Sequence, residues 1–209
     1  MNQDTTDGRS TRANTRRKSR RAALLTAASK VFATRGYHQT RVSDIIEEAQ
    51  VARGTFYLYF DSKSSIFVEL LEQLLESLRS TIVGVDMSEN AQPVDVQLRG
   101  IIQTLLQAIV ENRELTKIVT REAVGLDAEV DRRLRDFYSE LVAYVRDSLM
   151  VAERMGFARP LDHEVAAMCV VGTIKQFMER LVMTEHLPDI NRMALAVLDF
   201  NLRGIVSPA

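Results

Sequence analysis

The 209-residue chain has no tryptophan, one cysteine, four prolines and nine glycines, and aromatic residues make up only 6% of it. So few turn residues argue against a β-sandwich or barrel, which needs a turn roughly every 8 to 12 positions. The lone cysteine, Cys169, excludes an internal disulfide and a cysteine-rich metal framework, and it points to a reducing, cytoplasmic compartment. The basic N-terminus lacks the apolar stretch that completes a signal peptide. No window approaches the ~18 to 20 apolar residues of a membrane span. Only three histidines occur, His38, His163 and His186, and there is no nucleophile elbow, phosphate loop or paired-histidine motif. His163 reads as a solvated helix end, His186 as a loop residue and Cys169 as a small buried hydrophobe. No enzyme, metal or cofactor is therefore expected.

What the chain does have is an uneven charge. The formal net charge is -1, yet residues 1–63 hold 12 of the 27 Lys/Arg and 6 of the 28 Asp/Glu, a net of +6, which leaves -7 for residues 64–209. Such asymmetry suits a basic end that meets a polyanion, and it equally suits a solubilising tail.

Residues 1–17 lack apolar periodicity and read as a disordered basic arm. From Lys18 the pattern is helical: Leu24, Leu25, Ala28, Val31 and Phe32 share one face until Gly36, a residue that enters the left-handed region without penalty and so stops a helix. A second, short helix is predicted over 42–49, capped by Thr40, with Val42, Ile45, Ile46 and Ala49 inward. After a corner at Val51 and Ala52, a third runs from Arg53 to Phe60. Asp61 and Ser62 cap a fourth, whose stripe from Ile66 to Ile82 precedes Gly84. The periodicity continues through five more helices, with starts at Pro93, Pro160–Asp162 and Pro188–Asp189 and stops at Gly125 and Gly156. The fold class is all-α, about nine helices, with boundaries expected at 18–63 and 64–209.

Two short helices joined by a tight corner behind a longer one make a helix-turn-helix, which lays its last helix in the DNA major groove. Phe56 and Phe60, four apart, turn inward together, leaving Arg53, Gly54, Thr55, Tyr57, Leu58 and Tyr59 outward. Lys63, at the N-terminus of the fourth helix, can share a phosphate with the free N–H groups there. Arg53 has the chemistry for a specific contact, since its fork matches guanine O6 and N7, a pairing that discriminates by about 1–3 kcal/mol. The alternative is a solvated surface arginine. Tyr57 and Tyr59 divide between half-buried packing and phosphate contact. Arg9, Arg12, Arg16, Arg17, Lys18, Arg20 and Arg21 divide between non-specific attraction and insertion in a narrow minor groove.

The run Thr40-Arg41-Val42-Ser43-Asp44-Ile45-Ile46, then Val51 through Phe60, then Lys63, resembles the DNA-binding signature of the tetracycline-repressor (TetR) family. Val31-Phe32 and Gly36-Tyr37 fit the same pattern, and the match covers about residues 18–75. Gln50 departs from it, standing where the family usually has glycine, which implies strain or a shifted corner; Ile46 replaces a more common alanine. The resemblance implies that Arg53, Thr55 and Leu58 face bases. It implies that Ser43 faces a base or phosphate, that Tyr57, Tyr59 and Lys63 hold phosphates, and that Gly54 permits close approach. Thr40 and Arg41 belong to the same DNA-binding set.

The resemblance also implies that the larger half forms a homodimer and a cavity for a small effector, with the last two helices in an intersubunit bundle. The eighth helix is apolar nearly all round, which demands burial on several sides. Ala166, Cys169, Gly172, Thr173, Val197 and Leu198 are the candidate dimer interface. Leu74, Leu78, Ile102, Leu105, Leu106, Phe137, Leu141, Tyr144 and Phe177 are the candidate pocket lining, though residues of this kind are more often plain core. That lining favours a lipophilic effector. The expected protein is a cytoplasmic, nucleoid-associated, dimeric repressor that releases a pseudo-palindromic operator on binding its effector. The alternative is a DNA binder of the same fold whose helical half recruits a protein partner.

Overall fold

The computed structural model describes residues 5–121, 125, 128–184 and 188–205, and the regular elements among them are nine α-helices. In chain order these are α1 (Thr5–Gln39), α2 (Val42–Glu48), α3 (Arg53–Tyr57), α4 (Lys63–Thr81), α5 (Val94–Glu111), α6 (Arg113–Arg121), α7 (Ala128–Arg154), α8 (His163–Met183) and α9 (Ile190–Ile205). The chain divides into two compact units, Met1–Leu71 and Glu72–Ala209. The division falls inside α4 rather than at residue 63, because Ile66, Phe67, Leu70 and Leu71 on its first two turns belong to the N-terminal core.

α1 begins at Thr5, well before the predicted start at Lys18, so residues 5–17 are helical and not an irregular arm. No proline interrupts this stretch, and extending a helix already nucleated costs far less than starting one. Residues 14–23 are exposed along it, Arg16, Arg17, Lys18, Arg20 and Arg21 included. At its other end Gly36 takes φ 75° and breaks the helix as expected.

The N-terminal core joins Leu24, Ala28 and Phe32 of α1 to Ile45, Phe56, Ile66, Phe67 and Leu71, all with no exposed surface. Aromatic rings lock it. Phe32 stacks on Tyr37 at 5.5 Å between centroids, and Phe67 meets the two rings edge-on at 5.6 and 4.8 Å. Ion pairs Lys30–Glu48 (2.6 Å) and Arg35–Asp44 (2.9 Å) tie α1 to α2, and Arg21–Glu69 ties it to α4.

In the C-terminal unit α7 packs on α8 and α5 on α9. Leu106, Ile109, Val130, Leu181, Val182 and Ala194 are fully or almost fully buried there. Asp162 caps α8 by accepting the Val165 N–H at 3.1 Å, and Asp189 does the same for Asn191 (2.9 Å) at α9. Gly125 and Gly156 hold φ 78° and 79°, the left-handed backbone their stop positions require. The sixth helix was expected to reach Val124; residues 122–124 lie outside those described.

Candidate nucleic-acid interface

The segment from Thr40 to Lys63 is assembled from short-range bonds. Thr40 does not cap α2. Its side chain is buried and donates from Oγ1 to the Gly36 carbonyl at 2.7 Å, closing the break after α1. The N-cap is Arg41, whose N–H donates to the Asp44 carboxylate at 2.8 Å. That bond first, and the Arg35 guanidinium second, hold the Asp44 carboxyl below the usual carboxylate range. At the other end of α2, Gln50 adopts φ 53°, among the described residues the one non-glycine at positive φ. The glycine of the family pattern stood for this left-handed corner, and Gln50 occupies it with a Cβ at a cost of about 1 kcal/mol.

α3 is shorter than predicted, ending at Tyr57, although Phe60 N–H still donates to the Phe56 carbonyl at 3.0 Å and continues the turn. Phe56 and Phe60 are buried, as their spacing indicated. Arg53, Gly54, Tyr57 and Leu58 are exposed, Leu58 at 73%, while Thr55 and Tyr59 are half-buried. An apolar side chain held this far into solvent gains nothing from the fold. At Gly54 an added Cβ would meet no atom within 4 Å, so the fold itself does not require glycine there. The Arg53 guanidinium stands 5.9 Å from the Tyr57 ring centroid, which gives a flexible side chain a platform. Ser43 and Arg41 are exposed on α2 and its cap. Between α2 and α3 lies a cleft of about 490 Å³ lined by Ser43, Glu47, Gln50, Arg53 and Tyr57 with apolar Val42, Ile46 and Val51. Glu47 was not singled out from sequence, because nothing in the periodicity distinguishes an outward residue beside a cleft from any solvated one; Gln50 was noted only for its backbone corner, not as lining a cleft.

Lys63 is half-buried, and its ammonium donates to the Tyr37 carbonyl at 2.7 Å while sitting 4.2 Å from the Tyr37 ring centroid. It therefore clamps the end of α1 to the start of α4. Sequence reasoning missed this role, since 26 residues separate the partners. Ser62 and Ser65 cap α4 reciprocally, each N–H donating to the other's hydroxyl at 3.1 Å.

In the C-terminal unit the candidate pocket residues scatter. Leu74, Leu78, Leu106 and Phe137 are buried core; Ile102, Leu105, Leu141 and Phe177 are half-buried; Tyr144 is exposed. A cleft of about 570 Å³ lies elsewhere, among Thr120, Asp131, Arg135, Tyr138, Lys175 and Glu179, and none of the candidates lines it. Burial there pushes the Tyr138 phenol up to about 12. Of the candidate dimer residues, Val197 and Leu198 turn inward and are buried, and Ala166 and Thr173 are half-buried. Cys169, expected to be buried, is exposed, as is Gly172. With Val165 and Met168, each 50% exposed, they form a stripe on α8 at spacing 0, 3, 4 and 7; Leu195 and Phe200 are exposed on α9. His163 is not a free helix end, since its Nε2 lies 2.7 Å from the Glu153 carboxylate. Among the described residues no cluster of metal-ligating side chains occurs, and no helix is long and apolar enough to cross a membrane.

A buried three-helix support that presents an arginine, a bare glycine, a tyrosine and a solvated leucine on one short helix defines a helix-turn-helix DNA-binding regulator. Residues 24–70 match the family model of bacterial regulatory proteins, tetR family. The chain is 30% identical over 189 residues to the HTH-type transcriptional regulator YdgC of Bacillus subtilis (strain 168), covering 89% of this chain and 92% of that one. It is 26% identical over 187 residues to the fatty acid metabolism regulator protein of the same organism (87% and 93% covered). Among solved structures, the fatty acid degradation regulator FadR from Bacillus halodurans superposes with a TM-score of 0.70 at 26% identity, over 88% of this chain and 95% of that one. The chain belongs to the TetR family of DNA-binding transcriptional regulators.

Proposed function

We propose that the protein is a homodimeric repressor that grips a pseudo-palindromic operator with α3 and releases it on binding a lipophilic effector. The observation that carries the DNA part is the exposed run Arg53, Gly54, Tyr57 and Leu58 over buried Phe56 and Phe60. Arg53 pairs with guanine, Leu58 meets a thymine methyl, and Gly54 lets the backbone approach. Thr55 joins the base-facing group, Ser43 faces a base or a phosphate, Arg41, Tyr57 and Tyr59 hold phosphates, and the exposed basic residues of α1 add non-specific attraction. Buried Thr40 is a supporting residue and not a contact.

Dimerisation is supported by the apolar stripe Val165, Met168, Cys169 and Gly172, with Leu195 and Phe200, which this chain leaves solvated. Symmetry of the dimer then requires symmetry of the operator. A lipophilic effector is supported by the apolar character of the half-buried Ile102, Leu105, Leu141 and Phe177 and by similarity to two fatty-acid regulators. For such a ligand to release DNA it must bind the DNA-incompetent state more tightly.

The test is selection of bound sequences from random duplex DNA, repeated with Arg53→Ala and then with long-chain acyl compounds added. One base position per half-site should lose its preference in Arg53→Ala by about 1–3 kcal/mol, and an acyl compound should lower affinity for the selected site. An unchanged selection profile in Arg53→Ala refutes the base contact. Undiminished affinity at saturating acyl compounds refutes the effector class and favours a protein partner.

A further inference from the structure

α2 carries three carboxylates, and two of them are accounted for by the fold. Asp44 accepts the Arg41 N–H at 2.8 Å and pairs with Arg35 at 2.9 Å. Glu48 pairs with Lys30 at 2.6 Å. Glu47 is exposed and forms no ion pair among the described residues. It stands in the last turn of α2, which contains no basic residue, where the partial negative charge of the helix C-terminus disfavours an acid. Nothing in the fold recommends a carboxylate there.

Its surroundings supply a reason. Glu47 lies four residues beyond Ser43, on the same face of α2, and both line the cleft that also holds Arg53 and Tyr57. On the reading of this surface as the DNA interface, a carboxylate directed at the duplex meets either phosphates, which repel it, or base edges. A carboxylate only accepts hydrogen bonds. In the major groove the donors are the exocyclic amino groups of cytosine and adenine, and the carboxylate's usual match is cytosine N4. We infer that Glu47 is a specificity residue: it accepts a hydrogen bond from a cytosine amino group near the base read by Arg53, and it penalises duplexes that place no donor there. The inference rests on the DNA-interface reading above, and it assigns to α2 a share of sequence discrimination that the recognition helix alone would otherwise carry.

The experiment is parallel selection from random duplex DNA with the full-length wild type, Glu47→Gln, Glu47→Ala and Glu48→Gln, together with affinity for a fixed non-specific duplex. Wild type is expected to enrich cytosine at one position per half-site distinct from the one that depends on Arg53. Glu47→Gln should move that preference toward adenine, whose N6 and N7 match a carboxamide. Glu47→Ala should lose it, with a roughly five- to hundredfold drop in discrimination at that position, and should bind the non-specific duplex more tightly. Glu48→Gln should leave every base frequency unchanged, because Glu48 is turned to Lys30. Glu47 is exposed, so thermal melts of the four proteins should coincide within a few degrees. Identical base frequencies in wild type, Glu47→Gln and Glu47→Ala, with the Arg53-dependent position still present, would overturn this inference alone. A wild type that enriches no sequence would overturn the DNA-interface reading and this inference with it.

Discussion

Gln50 shows how a single backbone angle can be read from a pattern and weighed against a structure. Its φ of 53° places a Cβ where glycine carries none, and the departure from the family's glycine announced this corner before the fold was known. Gln50→Gly should raise stability by up to about 0.5 kcal/mol, the relief of about 1 kcal/mol of left-handed strain being partly offset by the greater freedom of glycine in the unfolded chain. A melting temperature equal to or below that of wild type would show the corner to be unstrained. Lys63 makes the opposite point. Its position suggested a phosphate contact, yet the ammonium is seated on the Tyr37 carbonyl and ring. Lys63→Met should cost about 1 kcal/mol of stability, a charge-assisted hydrogen bond discounted for partial exposure. It should also reduce the salt slope of DNA binding by about one if the same ammonium neutralises a phosphate. A slope that does not move assigns Lys63 to the fold alone.

Among the elements, α2 is the shortest of those that depend on a charged cap, and its stability is tied to pH. Because the folded-state pKa of Asp44 is depressed below the ordinary 3.8, the protonated form is disfavoured in the native state. The stability this group contributes is therefore complete above about pH 4 and is lost as pH falls through the lower folded value. Replacing it by Asn keeps an acceptor for the Arg41 N–H but removes the attraction to Arg35. The difference in denaturation midpoint between wild type and Asp44→Asn should be largest near neutral pH and shrink as pH falls below the ordinary 3.8 and through the depressed folded value. A difference that persists unchanged into acid would locate the effect elsewhere. Helix identity and most starts and stops were legible, because glycine, proline and aspartate act locally: Gly36, Asp162 and Asp189 behave as their chemistry dictates. The end of α3 and the start of α1 were less so: no glycine or proline follows Tyr57, and Asp4 stands before a stretch with no apolar periodicity to mark it as a helix start.

For the molecule as a whole, the decisive question is which apolar residues face outward. Val197 and Leu198 were candidates for the dimer surface and are buried, whereas Leu195 and Phe200 on the same helix are exposed. The double variant Met168→Glu/Phe200→Glu should therefore be monomeric by sedimentation at concentrations where the wild type is dimeric, and it should lose most of its operator affinity because one half-site no longer recruits the other. Retention of the dimer would exclude these two faces from the interface. Changing Val197 instead should destabilise the fold, since its side chain fills the core of the subunit.

The amino-acid sequence by itself determined the all-α class, the short third helix and its inward pair Phe56 and Phe60, because helical periodicity and local turn chemistry need no distant partner to express themselves. It also disclosed the family, through residue types at set spacing along one short segment. Only the tertiary structure decided that Thr40 is buried, that Lys63 grips Tyr37, that Glu47 alone of the α2 carboxylates is left to face the cleft, and which side of α9 is solvated. Each of these depends on residues far apart in the chain meeting in space, and a helix that is apolar on several faces does not say in its own sequence which of them the core will claim.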